Sequence, residues 1–260
     1  MWGATFGNGI GRVMRVLAID IGNTRLSMGI YDGHRLGRRF DTLHESEAES
    51  FFRGERGECG VCVVSRVSRC MPDLEKFLSE QLSFRVLPLT AEVAPIRLNY
   101  ETSVGSDRIA NALAARRYAP GGAIVVDLGT ATHFDIVDEK GDFYGGPIMA
   151  GIQTLHEALS MRIPHLPQRG LHRVERAVVD NTADAMNAGA ILSCVGAIER
   201  IVQEIRQEFH APYRLILTGG NAVYVQSMLH VDDVLPNLTL DGLNAFGQIA
   251  IQKMGIKYSA

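Results

Sequence analysis

The stretch "VLAIDIGNTRLSMGIYDG" (Val16 to Gly33) sets an apolar run against an abrupt polar knot, Asp20-Ile21-Gly22-Asn23-Thr24, and then resumes an alternating pattern. This predicts two strands, Val16 to Ile19 and Arg25 to Tyr31, joined by a tight turn, with Asp32-Gly33 marking the next turn of a meander. "AIVVDLGTATHFDIVDEKG" (Ala123 to Gly141) repeats the design with Asp127, Gly129, Thr130 and Thr132. One such knot is ordinary turn chemistry, in which Asp and Gly satisfy the backbone. Two copies, followed by Thr218-Gly219-Gly220 after a third apolar run, point to something more specific.

A turn lined by backbone N–H groups, with glycine for close approach and Ser/Thr hydroxyls alongside, suits phosphate oxygens. A carboxylate beside it suits a metal ion. Two such turns, one from each half of the chain, can clamp the phosphates of a nucleotide from opposite sides. The chain has no G-x-x-x-x-G-K-[ST] motif, so a P-loop is excluded.

Between the knots, "GVCVVS" (Gly60 to Ser65) reads as a buried strand, Pro72 to Leu82 as a short helix and "FRVLPL" (Phe84 to Leu89) as a strand. Ile109 to Tyr118 is Ala-rich and helical, and Ala119-Pro120-Gly121-Gly122 ends it at the expected domain boundary. Asn181 and Thr182 stand at the N-cap of a long apolar-periodic helix from Ala183 to Phe209. The expected organisation is a flexible extension over residues 1–13, with Met14 a candidate start, then domains over 14–118 and 119–260. The fold class is α/β: two duplicated domains of mixed sheet with flanking helices, facing each other across a cleft where the knots meet.

At 260 residues with 46% hydrophobic content the chain can supply substantial cores. A net charge of −3, a pI near 6.2 and the lack of a Lys/Arg block argue against a nucleic-acid partner. No segment approaches the eighteen or more apolar residues of a membrane span and no signal peptide is evident, so a cytoplasmic location without membrane association is expected. Cys59-Gly60-Val61-Cys62 has CxxC spacing, but Cys70 and Cys194 form no second pair, and the thiols read as structural. Gly7-x-Gly9-x-Gly11 precedes a strand instead of following one, the wrong context for dinucleotide binding.

"DIGNT", "GSDRIANALAA", "IVVDLGTAT", "YGGPIMAGI", "NTADAMNAG", "LTGG" and "PNLTLDGL", in this order, resemble the type III pantothenate kinases of the actin- and hexokinase-like phosphotransferase superfamily. The resemblance runs from about Met14 to near the end of the chain and implies two RNase H-like, actin-like domains. It implies ATP-dependent phosphorylation of pantothenate to 4′-phosphopantothenate, the first step of coenzyme A synthesis, with Mg²⁺ and a monovalent cation, K⁺ or NH₄⁺. Asp20, Gly22, Asn23, Thr24 and Ser27 then belong to the first phosphate loop, Asp20 near Mg²⁺, and Thr130 to the second. Asp127 resembles the ligand of the monovalent cation. Asp107, in Gly105-Ser106-Asp107-Arg108, resembles the base that takes the hydroxyl proton, and Arg108 the group that holds the pantothenate carboxylate. Tyr100 and Thr182 match further substrate contacts, and a homodimer is implied, with Thr182 serving either its own site or the neighbour's. Two positions depart from the pattern: Ala150 replaces a proline, and His133 replaces a threonine in the second knot. A kinase for another small hydroxy acid, or a non-catalytic nucleotide-binding regulator, remains compatible with the same residues.

Overall fold

A computed structural model describes residues 15–254, apart from 56–58, 69–70, 82, 102, 168 and 174–175. The expected N-terminal extension, the candidate start at Met14, and Cys70 lie outside the described residues.

The described residues begin with the expected meander: β1 (Arg15–Ile21), β2 (Leu26–Asp32) and β3 (Arg35–Thr42). α1 (Glu45–Gly54) leads to β4 (Val61–Arg66), and α2 (Leu74–Lys76), extended by a π-helical turn at Phe77–Gln81, leads to β5 (Val86–Pro88). β6 (Leu98–Asn99) is a two-residue strand before α3 (Ser106–Tyr118). The second meander is β7 (Ala123–Leu128), β8 (Ala131–Val137) and β9 (Phe143–Ala150). α4 (Ile152–Arg162), α5 (Thr182–Phe209), β10 (Arg214–Thr218), α6 (Ala222–Val225), β11 (Asp233–Val234) and α7 (Leu238–Lys253) complete the described elements.

The duplication read from the knots is a duplication of topology. The first sheet has the order β3-β2-β1-β4-β5, and the second contains β9-β8-β7-β10-β11 in the same sense, with β6 added beyond β9. In each, the first three strands are antiparallel and the next two run parallel to the first. Parallel pairing needs crossover helices, which is why helical stretches follow each meander. β1 and β7 are central and buried along nearly all of their length, so they read as continuous apolar runs. Each ends in its carboxylate, Asp20 or Asp127, where the sheet meets the cleft.

α3 and α7 pack on each other between the sheets; α7 covers β1 and β4, while α3 also touches β7 and β8. One core therefore runs through both halves, joining Val16 and Val63 to Ile109, Leu243, Val125 and Ile216. The helices approach closely because Gly242 has no side chain: a Cβ there would overlap the Ala110 carbonyl. The chain position 119 separates the two meanders, yet β6 pairs into the second sheet and α7 returns to the first.

α5 starts where Asn181 accepts a hydrogen bond from the Asp184 amide at 2.9 Å, the expected cap. Contrary to the sequence expectation, α5 does reach the length and mean hydropathy of a membrane span. Half of its most apolar window is buried inside the protein, where Ile191, Cys194 and Ile198 pack on the second sheet, as in a core helix.

Candidate active site

The two knots face each other across a cleft of about 530 Å³ lined by Asp20, Thr24, Asp107, Asp127, Thr130 and His133 among others. Strand geometry puts them there. Asp20 stands opposite Ser27 in the first hairpin, and Asp127 stands opposite His133 in the second, so the polar groups emerge at equivalent ends of duplicated elements. The hydroxyls of Thr24 and Thr130 meet at 2.7 Å, directly joining the loops.

The second loop is braced from three sides. The Thr130 carbonyl accepts from the Gly151 amide at 3.0 Å and from the Thr154 hydroxyl at 2.7 Å. The Asn221 amide group donates to the Gly129 carbonyl at 3.1 Å. Gly219 adopts φ +86°, and any side chain there would strike the Asp127 carboxylate and the Leu128 backbone, so the T-G-G turn can sit against the end of β7 only with glycine.

Asp107 lies in the first turn of α3, and its position is set by its neighbour. The Ser106 hydroxyl contacts that of Ser65 at 2.9 Å and accepts the Arg66 amide at 2.9 Å, which ties the helix start to the end of β4. Asp107 accepts the amide of Arg108 at 2.8 Å. Its carboxyl is held above the usual carboxylate range, chiefly by burial and partly by Asp127, while His133 opposes the shift. Asp20 is pushed up to about 7 by burial, with Asp107 and Asp127 adding repulsion and Ser65 and Arg25 opposing it. Arg25 reaches across to the Gly220 side of the cleft.

His133 is buried among carboxylates: Nδ1 is 3.1 Å from Asp135, and Nε2 is 3.7 Å from Asp127 and 3.8 Å from Asp107. These acids outweigh burial and raise the ring to about 9. Arg108 also turns inward. Its Nε donates to Asp135 at 2.6 Å, and one terminal nitrogen donates to the carbonyls of Phe134 at 2.8 Å and Gly146 at 3.3 Å. The guanidinium lies over the rings of Tyr100 and Phe143.

Comparison with known proteins gives this cleft a context. A family model for type III pantothenate kinase matches residues 16–204. A type III pantothenate kinase of Dehalococcoides mccartyi is 32% identical over 90% of this chain and 98% of its own length, and that of Moorella thermoacetica is 34% identical over 88% and 96%. The chain belongs to the type III pantothenate kinases. In fold, this kinase is similar to MreB 5 of Spiroplasma citri, whose solved structure is bound to AMPPNP, with a TM-score of 0.52, 10% identity and coverage of 93% and 98%. The actin-like fold expected from the sequence is the fold observed.

The kinase brings Asp20, Gly22, Asn23, Thr24, Ser27, Asp107, Asp127 and Thr130 to one cleft. Gly105 and Ser106 instead form the support beneath Asp107. Tyr100, Arg108 and Thr182 are not among the residues lining the cleft; Arg108 is committed to Asp135, and Thr182 is exposed at the start of α5. Thr154, Asn221 and Arg25 were not singled out in the sequence. For His133 a signal was present: Asp135 follows two residues later on the same strand, hence on the same face.

The donor groups test the two metals of the family differently. Asp20 Oδ1 is buried and has no hydrogen-bond partner among the described residues, so this single carboxylate oxygen suits a divalent cation, although no cluster of three or more acidic, His or Cys side chains able to hold a metal forms among the described residues. Asp127 Oδ2 accepts from the Asn111 amide at 3.0 Å and faces His133 Nε2. At this oxygen nitrogen groups stand where an alkali ion would need oxygens, so Asp127 Oδ2 does not fit a monovalent cation.

Proposed function

We propose that this kinase transfers the γ-phosphoryl group of ATP to the 4′-hydroxyl of pantothenate. The observation that carries the reading is the meeting of the two duplicated loops, Thr24 against Thr130, beside the carboxylate of Asp107. The backbone and hydroxyls of Asp20 to Ser27 hold the nucleotide phosphates from one side, and Thr130 holds them from the other. Asp107 accepts the hydroxyl proton as the substrate oxygen bonds to the γ-phosphorus and the bond to the bridging oxygen of ADP breaks. A raised carboxyl suits a base whose proton affinity must approach that of its surroundings. Asp20 holds Mg²⁺, which when bound supplies charge neutralisation for the phosphates. Arg25 adds a positive charge on the same side. No part in the reaction is given to a monovalent cation.

The working unit is a cytoplasmic homodimer. Ile148 on β9, Met161 on α4 and Val178 before α5 are 60%, 81% and 86% exposed, and these apolar groups are assigned to the subunit contact. In such a dimer Thr182, exposed at the start of α5, serves the acceptor site of its own subunit or of its neighbour. Arg108 fixes the floor of that site through Asp135 and Tyr100.

A coupled assay of ADP release with ATP, Mg²⁺ and a panel of hydroxy acids tests the function. Turnover with pantothenate supports it; turnover only with other acids rejects it.

A further inference from the structure

His133 is in the wrong place for a bystander. It stands across the hairpin from Asp127, shares a strand face with Asp135, and points its second nitrogen at Asp107. All three groups facing the ring nitrogens are carboxylates, at 3.1 to 3.8 Å, close enough for ion pairing with a protonated ring, although Nδ1 and the Asp135 Oδ2 beside it form no hydrogen bond. The cluster is built around it. The Thr239 hydroxyl contacts the Asn111 side-chain oxygen at 2.9 Å and orients that amide so that its NH₂ group reaches Asp127. Arg108 takes the other oxygen of Asp135. The donors around Asp127 and Asp135 are thus nitrogen groups of this chain, and the His133 Nε2 stands within 4 Å of both Asp107 and Asp127.

We propose that His133 is the resident cation of the acceptor side, bridging Asp107 and Asp127, and that phosphoryl transfer by this chain is therefore independent of K⁺ and NH₄⁺. The threonine of the family pattern would leave that volume open and offer a hydroxyl oxygen, which suits an alkali ion. The imidazole closes it and offers only N–H groups. The charge problem solved is the same: nucleotide phosphates entering beside Asp20, Asp107 and Asp127 would raise the local negative charge in a poorly screened cleft, and a fixed positive group offsets it. A covalently attached cation also needs no binding step. This inference rests on the kinase reading of the same cleft.

The test uses the full chain in KCl, NH₄Cl, NaCl and choline chloride at equal ionic strength, reading phosphorylation rate and, separately, melting temperature without substrates. The wild-type rate is expected to stay within about twofold across the salts, and its melting temperature to show no rise specific to K⁺ or NH₄⁺. His133→Thr should lose roughly 10²-fold in rate in NaCl or choline chloride, recover in KCl, and melt higher in KCl than in NaCl. Three results would overturn the proposal: a wild-type rate that collapses without K⁺ or NH₄⁺, a K⁺-specific rise in wild-type melting temperature, or a His133→Thr protein indifferent to the salt. Absence of pantothenate turnover in every salt would reject the kinase reading instead, and the substrate-free melting comparison would still decide the cation claim.

Discussion

Asp107 has two readings that a single substitution separates. As the base it must lose a proton acceptor in Asp107→Asn, and kcat should then fall roughly 10²- to 10⁴-fold with ATP binding retained, as read by steady-state kinetics and nucleotide titration. As a mere helix-start residue it would tolerate the change, since α3 is anchored by Ser106 to Ser65 and Arg66. Asp20 makes a pH-dependent prediction. Its folded value near 7 lies above the ordinary 3.8, so the folded chain holds this proton more tightly than the unfolded one. The resulting stability is complete below 3.8 and is lost as pH rises through 7. Asp20→Asn should therefore raise the melting temperature of the ligand-free protein, more at about pH 8 than at about pH 5, while abolishing Mg²⁺-dependent turnover. A variant that is less stable at the higher pH would contradict the burial argument. Arg108→Ala should act on folding as much as on KM, because it leaves the buried Asp135 Oδ1 without its partner and only His133 to offset the charge, a loss of up to about 3–5 kcal/mol, measurable by urea denaturation.

At the scale of elements, the parts legible in the sequence are those with local causes. The β1–β2 and β7–β8 hairpins follow from apolar runs broken by Asp, Gly and Thr, and α5 from its periodicity and the Asn181 cap. α7 was not legible. Its two glycines, Gly242 and Gly247, weaken any local helix signal, and their reason lies elsewhere in the chain: the Ala110 carbonyl against one, Val16 and Val63 against the other. α1 and α4 likewise carry no strong cap, as neither His44 nor Gly151 makes a side-chain capping bond. The same division holds in the site. Asp20, Asp127 and Thr130 were visible because the device is duplicated, whereas the inward turn of Arg108 depends on Asp135, a partner that only the packing of α3 on β8 brings near. Gly242→Ala, which would improve helix propensity in an open helix, should here destabilise by roughly 1–3 kcal/mol, because backbone cannot move aside as a side chain can. Calorimetry showing an unchanged or higher melting temperature would mean that α3 and α7 separate more readily than their packing indicates.

For the molecule as a whole, the shared core through α3 and α7 ties the two sheets to a common base and leaves the knots to meet at the opposite, open side. The exposed apolar groups at Ile148, Met161 and Val178 predict a dimer by light scattering at micromolar concentration, and charged substitution of Met161 should shift the mass toward a single chain. A fully active single chain would exclude a role for the partner subunit's Thr182. The central claim is that two duplicated loops and Asp107 move a phosphoryl group from ATP to pantothenate. The most direct measurement is mass-spectrometric detection of product after incubating the purified chain with ATP, Mg²⁺ and pantothenate. The account predicts pantothenate heavier by one phosphoryl group, formed in step with ADP and lost in Asp107→Asn; ATP bound or hydrolysed with pantothenate left unmodified would contradict it.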